Sequence, residues 1–194
     1  LTQQLKKTPE QHFAEIAEII ALAKENDIET NIYLEDWSNG MKNSPDYVFQ
    51  FLDFLATQPV KRILLPDTLG VLIPSKTFEY ISKITAKYPK IHFDFHAHND
   101  YDLSVANVLE AVKAGINGLH VTVNGMGERA GNAPIESVVA VLNDFMPEVK
   151  INVKESSLYS VSKLVETFTG YRIPANKPIV GDNVFTQTAG IHAD

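Results

Sequence analysis

His96 and His98 stand two residues apart in the run Ile91–Tyr101, IHFDFHAHNDY. With the period of two of an extended chain, both imidazoles project to one side, together with His92 and Asp94. Phe93, Phe95 and Ala97 project to the other. Two imidazoles on one face at a strand end suit two neighbouring ligands of one divalent ion, with carboxylate or amide oxygens completing its shell. The chain has no cysteine, so the available donors are nitrogen and oxygen. Zn, Mn, Co or Fe fit such a set, and Mg fits where oxygens dominate. The plainer alternative is a pair of core histidines satisfied by hydrogen bonds, and it is the preferred reading for His92 and His120, which lie deeper in their strands.

Other residues capable of chemistry recur at strand ends. Glu35 is placed to act as a general base or to orient one, although a solvated or helix-capping role is equally open to it. Thr68, after Asp67, can donate a hydrogen bond to a substrate carboxylate, or can serve the turn before Gly70. Thr122 and Asn124 end the next such run, and Thr122 is a candidate substrate contact. The loop Asn124–Asn132, NGMGERAGN, has the glycine spacing of a dinucleotide loop with Ala130 in third place. No acidic residue ends a following strand about 20 residues on, so that match is weak. Backbone N–H groups of the loop can face an anion, and Glu128-Arg129 is expected to be an internal ion pair shaping it.

The elements that must position these residues are legible as a repeat. Apolar, β-rich runs at Ile28–Leu34, Lys61–Leu65, Ile91–Phe95 and Gly118–Val123 are centred about 30 residues apart, one βα unit each. Helical periodicity fills the gaps: Phe13/Ile16/Ile20/Ala23, then Tyr47/Phe51/Leu55 behind Ser44-Pro45-Asp46, then Phe78/Ile81/Ile84 behind Pro74. A fourth helix runs from Leu103 to Gly115 and a fifth from Pro134 to about Phe145. Successive βα units dictate a parallel sheet. In a doubly wound sheet both faces meet helices and are apolar, yet three of these strands carry polar residues at alternating positions. The pattern therefore predicts half of an eight-stranded (β/α) barrel, a TIM barrel, whose inner face gathers polar residues at its C-terminal mouth. Residues 150–170 are expected to form one helix started around Lys154–Ser157 and ended by Gly170, and a Pro/Gly-punctuated linker follows. The predicted division is 1–149, barrel, and 150–194, linker subdomain.

The chain of 194 residues has 44% hydrophobic and 21% charged residues and a net charge of −7. That balance argues against a general nucleic-acid or anionic-membrane surface and leaves small anionic substrates open. No apolar run reaches the roughly 18–20 residues that span a bilayer, so a soluble cytoplasmic protein is the expectation. Neither end resembles a natural terminus, which suggests a piece of a longer polypeptide.

The runs HFDFHAHNDYDLSVANVLEAVKAGI and TVNGMGERAGNAPIESVV resemble the H-x-H-N-D-x-G-x-A-x-A-N and T-x-N-G-x-G-E-R-x-G-N signatures of the isopropylmalate synthase/homocitrate synthase family. LLPDTLGVLIP is similar to that family's D-T-x-G-x-x-x-P, and KPIVGDNVFTQTAGIHAD to its linker motif. The resemblance covers nearly the whole chain in order. It implies a (β/α)8 barrel followed by linker subdomains, with this chain beginning after barrel strand four and holding strands five to eight. It implies His96, His98 and Asn132 as ligands of a divalent metal (Zn, Mn, Mg or Co), the fourth ligand being an acidic residue on barrel strand one. It further implies Thr68 as a contact to the carboxylate of a 2-oxo acid, Glu35 near the reacting carbons, and His192 reaching a partner's site in an intertwined homodimer. The implied reaction joins acetyl-CoA to a 2-oxo acid in a Claisen-type condensation that releases CoA.

Four departures surround this implied site. Asp102 stands where the family has Gly, Tyr33 where it has a small residue, EDWSN (35–39) lacks an arginine, and Thr188-Ala189 replaces Glu-Ser. They bear on which 2-oxo acid is used. Two alternatives remain at this point. One is a carbon–carbon lyase of the same barrel superfamily, similar to hydroxymethylglutaryl-CoA lyase or a hydroxy-oxo-acid aldolase, although the lyase's cysteine-bearing glycine loop is missing. The other is a catalytically incomplete half-barrel with an assembly role.

Overall fold

The computed structural model describes residues 6–187. Helix α1 (Pro9–Glu25) opens on a reciprocal cap: the Thr8 hydroxyl accepts from the Gln11 N–H, the Gln11 side chain accepts from the Thr8 N–H, and Pro9 occupies the first turn. Strands β1 (Thr30–Tyr33), β2 (Val60–Asp67), β3 (Phe93–Ala97) and β4 (Gly118–His120) alternate with α3 (Pro45–Leu55), α4 (Pro74–Lys87) and α5 (Ser104–Lys113), and α6 (Ile135–Phe145) follows β4. The spacing of the sequence is thus realised as four βα units. One further helix, α2 (Trp37–Asn43), interrupts the first connection. It has no side-chain cap and starts behind Asp36 in a left-handed conformation. Its anchors are Trp37 and Met41, both buried, so tertiary packing rather than local signal forms it.

All four strands are parallel and lie in the order β1-β2-β3-β4. A doubly wound sheet reverses its order at a switch point; this one does not. Neighbouring strands are roughly 4.8 Å apart, which would put β1 and β4 about 14 Å apart across a flat sheet. The Tyr33 hydroxyl nevertheless lies 3.0 Å from His120 Nδ1, so the two outer strands reach each other across a concave face. Sequential parallel order and curl together are the geometry of consecutive barrel strands.

The core lies on the convex side. Ile63, Leu65, Phe93 and Phe95 have no solvent exposure and pack with Leu52, Leu55, Ile81, Ile84 and Val108 of the helices. The concave side reads in rows set by the register. Tyr33, Leu64, Asp94 and Gly118 are lateral partners, and Pro66, His96 and His120 form the row above them.

The expected helix over 150–170 begins later. Residues 150–154 form no regular element, a short 3₁₀ turn spans Glu155–Ser157, and α7 runs Leu158–Thr169 with Gly170 left-handed at its end. The reason is period two: Val149 and Ile151 both pack against the core cluster, which an α-helical turn would prevent. Among the described residues no helix is long and apolar enough to cross a membrane.

Candidate active site

The C-terminal ends of the strands carry the site. His96 leaves β3 on the concave side, and His98 follows one step higher. Their Nε2 atoms face each other at 3.3 Å, with the rings nearly perpendicular. Two nitrogens bound at about 2.05 Å to one ion at the tetrahedral angle would be roughly 3.3–3.4 Å apart, so the pair is spaced as a chelate is. Burial, then the neighbouring His98 and His120, push His96 down to about 4. Its ring is therefore neutral at pH 7 and offers a lone pair.

Asn132 reaches the same place from 34 residues later. After its last rung with β4, the edge of β3 pairs in antiparallel sense with the loop: Asn99 N–H donates to Gly131 O at 3.0 Å and Ala133 N–H to Ala97 O at 3.0 Å, with His98 opposite Asn132. The loop turns at Gly131, whose φ of +86° favours glycine and where a Cβ would come 2.0 Å from Gly125 O. The Asn132 amide donates to Met126 O at 2.9 Å, while its Oδ1 is buried without a partner among the described residues. A buried carbonyl oxygen left unpaired is costly, and here it is the spare oxygen donor beside the imidazole pair. No group of three or more His, Cys, Asp or Glu able to hold a metal occurs among the described residues. The donors assembled here, two imidazole nitrogens and one amide oxygen, fit a divalent ion with part of its shell supplied from elsewhere.

Thr68 lies at the rim, and its hydroxyl accepts from the Asp36 N–H at 2.9 Å. The hydroxyl proton is left to donate. Thr122 differs: its hydroxyl donates to Met126 O at 2.7 Å, and its backbone bonds to Ala133 and Ile135. Its geometry is that of a loop anchor. Glu35 is exposed and forms part of the wall of a cavity of about 420 Å³ beside β1, lined also by His12, Trp37, Tyr47 and Phe51. His192 lies outside the described residues.

Several polar strand ends serve structure. Asp67 is fully buried and accepts from the N–H groups of Val71 and Leu72. Asn99 accepts from the Ser104 backbone and hydroxyl at the start of α5. The Asn124 side chain bonds to Ser162 of α7, away from the mouth. The expected Glu128-Arg129 pair is loose, at 3.7 Å. Arg129 instead grips Asp100 with two bonds of 2.8 and 3.0 Å and donates to Thr68 O at 2.6 Å, tying together the loops after β2, β3 and β4. That hydrogen bonding holds the Asp100 carboxyl below the usual carboxylate range. Asp102 occupies a left-handed φ of 58°, the region where a glycine is unstrained, and its carboxylate accepts from the Asn99 amide.

Beneath the histidine pair lies a polar network that the sequence pattern left as separate residues. Asp94 is 1% exposed. His92 Nε2 lies 2.8 Å from its Oδ1, and His120 Nε2 lies 3.3 Å and Arg62 3.4 Å from its Oδ2. A Cβ on Gly118 would come 2.1 Å from Asp94 Oδ1, so glycine is required there to admit the carboxylate.

Residues 1–165 match the family described as HMGL-like. The chain is 42% identical over 175 residues to a protein of Archaeoglobus fulgidus provisionally named (R)-citramalate synthase, covering 90% of this chain and 35% of that one. It is 39% identical to homocitrate synthase of Saccharolobus islandicus (96% and 40% covered) and 38% identical to a protein of Ignicoccus hospitalis provisionally named 2-isopropylmalate synthase (99% and 47% covered). The chain thus spans between about a third and a half of the length of these relatives. Among solved structures, HMG-CoA lyase of Bacillus subtilis superposes with a TM-score of 0.76 at 21% identity, covering 90% of this chain and 61% of that one. An HMG-CoA lyase of Acinetobacter baumannii, in complex with coenzyme A and 3-methylmalate, gives 0.76 at 20% identity (97% and 64% covered). These likenesses bear on the fold, a TIM barrel of which this chain forms four consecutive strands. The chain belongs to the HMGL-like family.

Proposed function

We propose, from membership of this chain in the HMGL-like family, that it is the second half of the barrel of a synthase that condenses acetyl-CoA with a 2-oxo acid, of the 2-isopropylmalate synthase type. The observation that carries this reading is the convergence of His96 and His98 at 3.3 Å beside the unpaired Oδ1 of Asn132. A divalent ion held there would polarise the ketone of the 2-oxo acid and offset the charge of the developing alkoxide. The remaining work falls to this chain's side chains. Thr68, its oxygen already accepting from the Asp36 N–H, donates its proton to the substrate carboxylate. Glu35, exposed at the end of β1, takes a proton from the thioester methyl. The resulting carbon nucleophile forms the new bond to the ketone carbon, and water cleaves the thioester to free CoA. His192 serves the partner subunit's site in a homodimer, residues 150–194 form the linker, and the setting is amino-acid biosynthesis in the cytoplasm.

The test is a thiol-release assay on the native full-length polypeptide with acetyl-CoA and pyruvate, 2-oxoisovalerate, 2-oxoglutarate or oxaloacetate, in the presence of Mn²⁺ or Zn²⁺. CoA release with one of these acids is the expected result. Cleavage of a 3-hydroxyacyl-CoA with no condensation would replace the synthase reading by the lyase one. The 194-residue chain alone is inactive on this reading. Its strands β1 and β4 have no partner on their outer sides among the described residues, so it self-associates through those edges. Monomeric light scattering, or turnover by the chain alone, would contradict this.

A further inference from the structure

Helix α7 stands outside the four βα units, yet its inner face carries a polar residue. Leu158 and Ser162, one turn apart, are its two buried residues, and Ser162 has no solvent exposure. A hydroxyl taken out of water is costly unless it is bonded. Ser162 directs its bonds to one residue. Its hydroxyl donates to Asn124 Oδ1, and its carbonyl accepts from the Asn124 amide at 3.0 Å. Asn124 has a left-handed φ of 60°, which asparagine tolerates better than most residues. Its N–H donates to Glu136 Oε2 at 3.1 Å, and Glu136, 1% exposed, turns its other oxygen toward Lys177 at 3.7 Å. The first residue of the glycine loop is thus held by α7 from one side and by α6 from the other.

The same loop wraps Asn132. Gly125 O accepts from the Asn132 N–H at 2.9 Å, and Met126 O accepts from the Asn132 amide at 2.9 Å and from the Thr122 hydroxyl at 2.7 Å. A Cβ on Gly127 would come 2.2 Å from Asn132 Nδ2, so the loop backbone lies directly against that side chain. Both carbonyls that orient Asn132 follow Asn124 immediately in the chain, and a shift of Asn124 reaches them through planar peptide units. We infer that Ser162 is a positioning residue for the metal site: through Asn124 it fixes the Gly125–Met126 backbone, which holds Asn132 Oδ1 beside the imidazole pair. This rests on the reading of His96, His98 and Asn132 as donors to one divalent ion, and it is independent of which acid is condensed. The mouth of the barrel does not complete its donor set alone; a helix beyond the barrel strands sets the third donor.

The experiment measures Mn²⁺ affinity by calorimetry on the native full-length polypeptide and its variants. Ser162→Ala removes the hydroxyl, and Asn124→Gly removes the partner side chain while keeping a residue at ease with positive φ. Each should weaken Mn²⁺ binding by about tenfold, the low end of the cost of losing an outer partner of a metal ligand. In an Asn132→Ala background, Ser162→Ala should change the affinity by less than about twofold, because the oxygen it positions is gone. Asn107→Ala is the control for lost stability. It deletes buried bonds between Asn107 and both Thr77 and Leu72 O, far along the chain from the loop, and should leave the affinity unchanged. Unaltered affinity in folded Ser162→Ala or Asn124→Gly protein overturns the inference. So does an equal loss in Asn107→Ala, or an undiminished effect of Ser162→Ala once Asn132 is removed. Any of these leaves the donor set standing if Asn132→Ala itself weakens binding. A wild type that binds no Mn²⁺, or an Asn132→Ala protein that binds it as before, strikes the donor set and this inference together.

Discussion

The two faces of the same four strands differ sharply in composition and role. On the convex side Ile63, Leu65, Phe93 and Phe95 are fully buried against α3, α4 and α5. On the concave side Tyr33, Asp94, His96 and His120 form a hydrogen-bonded and edge-stacked network, open enough that Tyr33 remains 51% exposed. The period of two makes both possible in one strand. The convex face supplies the burial that stabilises the domain. The concave face carries polar groups that contribute less to stability and more to chemistry; Tyr33, Asp94 and His120 are held by one another, while Asn132 Oδ1 beside the imidazole pair is left without a partner among the described residues.

This contrast breaks hardest at Phe95. Phe95→Ala removes a ring with no solvent contact and should destabilise the chain by about 3–5 kcal/mol, read from the urea midpoint. Across the sheet, His98→Ala should leave that midpoint almost unmoved. It should weaken Mn²⁺ or Zn²⁺ binding, measured by calorimetry, by more than the roughly 10–100-fold cost of losing even an outer partner of a metal ligand. Equal stability losses at Phe95 and His98 would erase the distinction between the faces.

Gly118→Ala tests whether the concave network is tightly fitted. The new methyl would meet Asp94 Oδ1 at 2.1 Å, and forcing extra volume into a packed site costs about 1–3 kcal/mol. The variant should also disturb the His92 and His120 ring signals in NMR spectra, and unchanged spectra would show that the carboxylate moves aside freely. Arg129→Ala is a smaller perturbation. It should speed amide exchange in the loop after Asp67 while shifting the urea midpoint little, because the pair it breaks is exposed. Smallest of all is Lys83→Ala, which breaks the surface bridge to Glu79 and should leave the midpoint unchanged within error.

How much of this was legible in the sequence depended on range. The four βα units, the core role of Phe93 and Phe95 and the pairing of His96 with His98 follow from local periodicity, and each appears where the spacing put it. Helix α2 escaped because its anchors Trp37 and Met41 are apolar residues that cap nothing and show too short a period. The start of α7 was displaced because Val149 and Ile151 are held by core contacts that no local rule reports. The Arg129–Asp100 clamp was missed in favour of the neighbouring Glu128, since adjacency in sequence is a weak guide to ion pairing. Two glycines were the available signals for what was overlooked. Gly118, at the head of a β-rich run, marked a close approach, and Gly131 marked the turn that delivers Asn132.

By itself the sequence determined the repeat, the parallel sheet, the direction of each side chain and the nitrogen and oxygen character of any metal site. These depend on backbone periodicity and on residue type. Only the tertiary structure decided which polar residues act together. Asn132 meets His98 because the β3 edge pairs with a loop 34 residues later, and Tyr33 meets His120, 87 residues away, because the sheet curls. Such contacts are set by packing the helices against the convex face, a constraint of the whole domain that no short stretch of chain contains.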